Sequence, residues 1–221
     1  MKRVVLGILM IAMVTVCSQQ ATAEDFALTA LGGYKGGVGF RLAGSVSNFA
    51  QGFPLTVEAG VTYTSLDPGR SADVRKIFIN DATNGTPEKS GWIWGFHLDF
   101  LFPARWLGLP NAQMYLGVRR SLFTGNFVYV GGNENFDVTA SAWGVGAGLR
   151  ATFPMSRVIG LTLSGGADYY PNVTLIGHDT SYGPDGQHVN DREGYQYVDA
   201  DNAVNQPKFQ PILMLGLTYK F

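Results

Sequence analysis

The sequence predicts an all-β protein, a transmembrane antiparallel up-and-down β-barrel of eight strands. Eight stretches alternate apolar and polar residues with the period of two that is typical of strands. Short connections alternate with connections that include long polar ones. After the first 23 residues, no apolar stretch approaches the length of a membrane-spanning helix. A closed barrel is the other structure that satisfies every backbone group in lipid.

The N-terminus has the three parts of a secretory signal peptide. Met1–Arg3 is basic, Val4–Val16 is apolar, and Ala21–Ala23 has the small-x-small pattern of a cleavage site. We therefore divide the chain into a signal peptide over residues 1–23 and a barrel domain over residues 24–221.

Cysteine content and charge narrow the function classes. Cys17 is the sole cysteine, so a domain that begins at residue 24 has no disulfide. Lipidation of Cys17 is an alternative, but that signal usually has a small residue where Val16 stands. Without Lys2 and Arg3, the 16 basic residues fall to 14 against 17 acidic ones. The sequence offers no basic patch for a nucleic-acid partner.

The first three strands are predicted to be separated by short turns. They span Asp25–Tyr34, Val38–Ser47 and Pro54–Leu66, with turns at Lys35–Gly37 and Asn48–Phe53. Each shows one mainly apolar row and one row of small, polar or charged residues, so each is expected to face lipid on one side only.

The next three strands continue the alternation. They are predicted over Ser90–Phe102, Ala112–Tyr129 and Val138–Phe153. Arg120 interrupts the apolar row of the fifth strand. It either extends to the membrane interface or marks a β-bulge, and the sequence leaves both open.

Two long polar connections precede the fourth and eighth strands. They cover residues 67–89 and 171–207. The seventh strand, Val158–Tyr170, directly precedes the second connection. Within the second connection, Gly183–Gly186 is a turn signal that predicts a hairpin. With the exception of Pro211, the pattern places the proline residues at strand ends or in loops, and Pro87 falls in the first of these two connections.

The eighth strand, Phe209–Phe221, carries a continuous apolar and aromatic row. Its Leu217, Tyr219 and Phe221 resemble the C-terminal signal that the barrel-assembly machinery of bacterial outer membranes reads. We expect this strand to pair with the first and close the barrel, with Pro211 at the outer rim.

Taken together, the signal peptide, eight alternating stretches, unequal loops and terminal Phe221 resemble the eight-stranded outer-membrane barrels of the OmpA/OmpX type. The resemblance implies a monomer in the cell outer membrane, in contact with lipid and lipopolysaccharide, whose long loops can bind a surface ligand. A soluble lipocalin-like barrel is the structural alternative. In the membrane, aromatic residues near strand ends are expected to form interface girdles, namely Tyr63, Trp92, Trp94, Trp106, Trp143, Tyr169, Tyr219 and Phe221.

Charged side chains occur on the rows predicted to face the lumen. An eight-stranded barrel is only wide enough for side chains to fill it, so buried charges there need partners. We therefore expect a lumen plugged by a charge network and a structural or surface-binding role. The expected network comprises Arg41, Glu58, His97, Asp99, Arg119, Arg150, Asp168 and Lys220.

Two other functions remain as alternatives. The same inward charges could line a small ion or solute channel. A lipid A-modifying hydrolase would need a histidine beside a serine nucleophile, and the residue two after His97 is Asp99, while His178 and His188 share a loop with Ser181. The acidic residues of that loop match no ordered calcium loop. We predict no enzyme activity, catalytic residue, cofactor or metal.

Overall fold

A computed structural model describes residues 25–48, 55–79, 85–132 and 134–221. The predicted signal peptide, Cys17 and Pro54 lie outside the described residues. In the described part of the chain, no helix is both long and apolar enough to cross a membrane.

Eight strands form a closed antiparallel barrel, which confirms the predicted fold class. Each strand pairs with its neighbour in sequence, and the first and last strands pair with each other. The strands are β1 (Asp25–Lys35), β2 (Val38–Ser47), β3 (Thr56–Leu66), β4 (Thr86–Pro103), β5 (Gln113–Val130), β6 (Asn135–Pro154), β7 (Ile159–Tyr169) and, after three short strands described below, β11 (Phe209–Lys220).

Closure occurs where the sequence predicts it, between β1 and β11. The register runs from Ala27 opposite Lys220 to Lys35 opposite Ile212. Pro211 is paired only on the other side, with Ala167 of β7. It therefore stands one residue beyond the β1 ladder, at the strand end where a missing N–H is tolerated.

Three neighbouring strands rise far above the others. β4 and β5 have 18 residues and β6 has 20, whereas the other barrel strands have 10 to 12. β6 pairs with β7 only from Val145 onward. Its preceding ten residues add roughly 30 Å along the strand. We call the part of β4–β6 beyond β3 and β7 the wall. The wall rises from the end of the barrel at which the long connections lie, and we call this the long-loop end. The opposite end of the barrel is the short-turn end.

The wall corrects one sequence prediction. The sequence pattern places Pro87 in a loop, but it lies in β4 opposite Tyr129 of β5. The ladder between β3 and β4 begins only at Gly91, so Pro87 is on a free strand edge. A proline is compatible with such an edge because no neighbouring strand needs its N–H.

The described parts of the two long connections fold into a cap against the inner face of the wall. They contain helices α1 (Ser71–Phe78) and α2 (Tyr197–Ala203) and short strands β8 (Leu175–Ile176), β9 (Ser181–Tyr182) and β10 (His188–Val189). β9 and β10 form the predicted hairpin, with Gly186 at φ 81°. Buried residues of the cap and wall share one apolar cluster, which includes Val74, Ile77, Phe78, Phe123, Phe127, Phe136, Val138, Leu175, Tyr182 and Ala200.

The outside of the barrel is apolar and the inside is polar, opposite to a lipocalin. Phe96, Leu98 and Phe100 of β4 are 41–48% exposed, whereas Arg41 and Glu58 are fully buried. An apolar surface of this extent is expected where a protein contacts lipid.

Arg120 belongs to the outward row without a bulge. It is paired with Phe96 on one side and Trp143 on the other in an unbroken ladder. Its guanidinium carbon lies 5.2 Å from the Trp143 ring centroid and the group donates to Ser141. The bulge alternative is therefore wrong, and the charge is accommodated beside an aromatic ring.

Candidate functional site: the charged lumen

One ion pair crosses the lumen between strands that are not neighbours. Arg150 of β6 donates from Nη1 to Glu58 Oε2 at 2.5 Å and from Nη2 to Glu58 Oε1 at 2.6 Å. Glu58 lies on β3, three strands away around the barrel. Both side chains are at most 5% exposed. The pair is bidentate, which fixes both groups and offsets their desolvation.

A second cluster joins four charged groups. The Nη1 of Arg119 is 2.6 Å from Asp99 Oδ1, and its Nε is 2.7 Å from Asp168 Oδ1. The other oxygen of Asp168 is 2.8 Å from the Nζ of Lys35. The cluster thus links β4, β5, β7 and β1 through alternating charges, all at most 3% exposed.

Glycines opposite this cluster create the space for it. A Cβ on Gly146 would stand 2.1 Å from Asp168 Oδ1 and 2.4 Å from Arg119 Nε. A Cβ on Gly117 would stand 2.2 Å from Asp99 Oδ1. At these two inward positions, the presence of glycine is therefore explained by the lack of space for a side chain beside the cluster.

Lys35 is a member that the sequence prediction misses. The pattern assigns it to a turn, but it is the last residue of β1 and faces the lumen. The alternation in the sequence could have predicted this placement, because Lys35 has the same parity as the inward residues Thr29 and Leu31.

Arg41 lies in the lumen but does not join either cluster. It is 0% exposed, and its Nε, Nη1 and Nη2 form no hydrogen bond within the described residues. Among the described residues, the lumen contains four buried lysine and arginine side chains, Lys35 included, and three buried carboxylates. Arg41 is thus the cation left over after pairing.

Lys220 differs from the other predicted network residues. It is exposed at the short-turn end, and no ion pair to it occurs among the described residues. Its inward parity and its position as the last residue of β11 place it at the barrel mouth.

His97 approaches Glu58 and could suggest a metal site. Its Nε2 is 3.5 Å from Glu58 Oε1, and ligand atoms of Glu58, His97 and Asp99 lie within 4.8 Å of one another. Both carboxylates, however, are already held by Arg150 and Arg119. A divalent cation would have to displace a guanidinium and would meet positive charge, so this arrangement does not fit a metal.

His188 of the last loop is held within the β9–β10 hairpin. His188 pairs with Tyr182 across the hairpin, and its Nδ1 accepts a hydrogen bond from the Gly183 N–H at 3.3 Å. Ser181 is paired with Val189 instead. Within the described part of the chain, Ser181 forms no hydrogen bond with His178 or His188, the contact that such a nucleophile would need.

The cap covers the long-loop end with a buried aromatic contact. Phe78 of α1 and Tyr182 pack edge to face with centroids 5.4 Å apart. The Tyr182 hydroxyl donates to the Ile77 carbonyl at 2.9 Å and accepts from the Arg192 N–H at 3.0 Å. Burial raises the pKa of the Tyr182 phenol above its ordinary value. The hydroxyl is therefore a neutral group that joins the hairpin to α1.

A row of threonine hydroxyls follows the inner wall of the barrel across four neighbouring strands, nearer the short turns. The Oγ1 atoms of Thr29 and Thr218 are 2.9 Å apart, those of Thr218 and Thr162 2.6 Å, and those of Thr162 and Thr152 3.0 Å. The four residues come from β1, β11, β7 and β6. We call this row the threonine ladder. Sequence parity places Thr162 and Thr152 inward but does not indicate their contact.

Comparison with solved structures identifies the kind of barrel. A major outer membrane protein from Thermus thermophilus matches with a TM-score of 0.73 and 27% identity. The match covers 90% of this chain and 100% of the other. The chain is an outer-membrane β-barrel protein. This barrel matches no protein-family model, and a comparison with curated proteins also finds no match.

Proposed function

We propose that this outer-membrane barrel is a closed, non-enzymatic protein with a structural or surface-binding role. The observation that carries the proposal is the Arg150–Glu58 pair, which spans from β6 to β3 across the lumen. A second closure is added above it by the apolar cluster of the cap. A continuous aqueous path would have to break both.

Single-channel recording tests this proposal against the channel alternative. The purified, folded protein is added to a planar lipid bilayer, and we expect no steady openings. Steady openings whose conductance changes in Glu58→Gln would contradict the closed barrel and favour a small channel. Folding is verified first by the shift in gel mobility between unheated and boiled samples.

The hydrolase alternative has a separate test. Mass spectrometry of lipid A from cells with and without the protein is expected to give the same acyl pattern. Loss of an acyl chain only when the protein is present would contradict the non-enzymatic role.

The partners follow from the two surfaces of the barrel. The exposed apolar rows support contact with outer-membrane lipid and lipopolysaccharide. The eight strands close on one another in a ring, which supports a monomer because no strand has to pair with another chain.

The cap supplies a folded surface for a ligand. Leu217, Tyr219 and Phe221 all face outward at the short-turn end, where the assembly machinery would read them.

A further inference from the structure

A polar cavity opens at the short-turn end of the barrel. Its volume is about 410 Å³. Its lining includes Thr29 and Thr218 of the threonine ladder together with Ser45 and Thr56. These hydroxyls make its surface one that hydrogen-bonds a polar ligand, in contrast to the apolar cap at the other end.

The charge of this cavity is positive. Arg105, Arg150 and Lys220 are among its lining residues, and its described lining contains neither aspartate nor glutamate. Glu58 lies behind Arg150 and is held by it. Asp25, at the same barrel end, accepts a hydrogen bond from the Asn48 side chain at 2.6 Å. Arg105 and Lys220 therefore face the cavity without a carboxylate in its described lining to neutralise them.

The threonine ladder adds a directed donor. Four hydroxyls joined by three hydrogen bonds use three of their four hydrogens. When all three bonds run in the same direction, the remaining hydrogen is on Thr152 or on Thr29. Both residues line the cavity. In either direction, one hydroxyl hydrogen is available to a ligand oxygen, and the aligned ladder strengthens it.

We propose that this cavity is a binding site for a small oxyanion, of the phosphate or carboxylate class, that enters from the short-turn side. Arg105 and Lys220 bind the charge, and the threonine ladder donates to an oxygen. The site is independent of whether the barrel conducts, because it needs only the short-turn half of the lumen.

The test uses the folded full-length barrel in a non-ionic maltoside detergent. Inorganic phosphate is titrated while backbone amides are followed by NMR, with sodium chloride at matched ionic strength as the reference. We expect saturable shifts at Thr29, Thr152 and Thr218 with phosphate. Acetate in place of phosphate shows whether a single carboxylate is sufficient. Equal shifts with sodium chloride would overturn the proposal.

Two variants and a control locate the site. Lys220→Gln and Arg105→Gln each remove a charge-assisted contact and are expected to weaken phosphate binding about five- to tenfold. Arg157→Gln removes a cation that is also exposed and lies in the turn between β6 and β7, outside the cavity lining, and is expected to leave binding unchanged. Equal effects in all three variants would indicate general charge attraction and overturn the site.

Discussion

Arg150 and Glu58 are 92 residues apart in the chain, yet their side chains form two parallel hydrogen bonds of 2.5 and 2.6 Å inside the barrel. Both groups are removed from water. The pair therefore holds β3 and β6 at a fixed separation without a backbone contact between them.

Removal of one partner should destabilise the barrel more than removal of both. Glu58→Ala leaves the Arg150 guanidinium buried without its anion, at an expected cost of about 3–5 kcal/mol. The double variant Glu58→Ala/Arg150→Ala carries no orphaned charge and should be more stable than the single one. Urea unfolding in lipid vesicles, followed by tryptophan fluorescence, measures both. Additive losses would show that the two groups act independently.

Two of the buried arginines, Arg41 and Arg119, should respond in opposite ways to loss of charge. Arg41→Met removes a guanidinium that has no hydrogen bond within the described residues, so unfolding free energy should stay constant or rise. Arg119→Met breaks contacts to Asp99 and Asp168 and should lower the unfolding free energy by about 3–5 kcal/mol. The same unfolding assay compares them. A large loss in Arg41→Met would reveal a partner for that charge.

A methyl group at Gly146 should disturb the second cluster. Gly146→Ala places a Cβ within 2.1–2.4 Å of Asp168 and Arg119, so these side chains have to move. We expect a loss of about 1–3 kcal/mol in unfolding free energy. Gly165→Ala is the matched control, since its nearest atom would be at 3.7 Å. Equal stability of both variants would show that the cluster tolerates displacement.

The cap should loosen without unfolding the barrel when its central aromatic residue is removed. Phe78→Ala leaves a cavity beside Tyr182 and should cost about 3–5 kcal/mol of cap stability. Limited proteolysis should then cut within residues 67–85 or 171–207, while the unheated barrel keeps its gel mobility. Lys76→Ala on the exposed side of α1 is the control. Wild-type protease resistance in Phe78→Ala would mean that the cap does not depend on this contact.

The barrel strands are predictable because their pattern is local. Side chains alternate between two faces, so the parity of Arg41, Glu58 and Asp168 is sufficient to place them inside. Apart from the β9–β10 hairpin, the cap escapes the sequence prediction because its connections are polar on average. Val74, Ile77 and Phe78 nevertheless have the spacing of one helix face, and that local signal is enough to indicate α1.

Amino-acid order alone is enough to establish the alternation, the eight strands and the closing pair, and it places the charges within the predicted strands, such as Arg41, Glu58 and Asp168, on the inward face. Three-dimensional packing is needed to establish that Arg150 binds Glu58 and that Lys35 joins Asp168. It is also needed to establish that Arg41 forms no hydrogen bond within the described residues. The physical reason is that parity is a property of one strand. Contacts across a lumen depend instead on the stagger between strands that are not neighbours and on the space that glycines leave there.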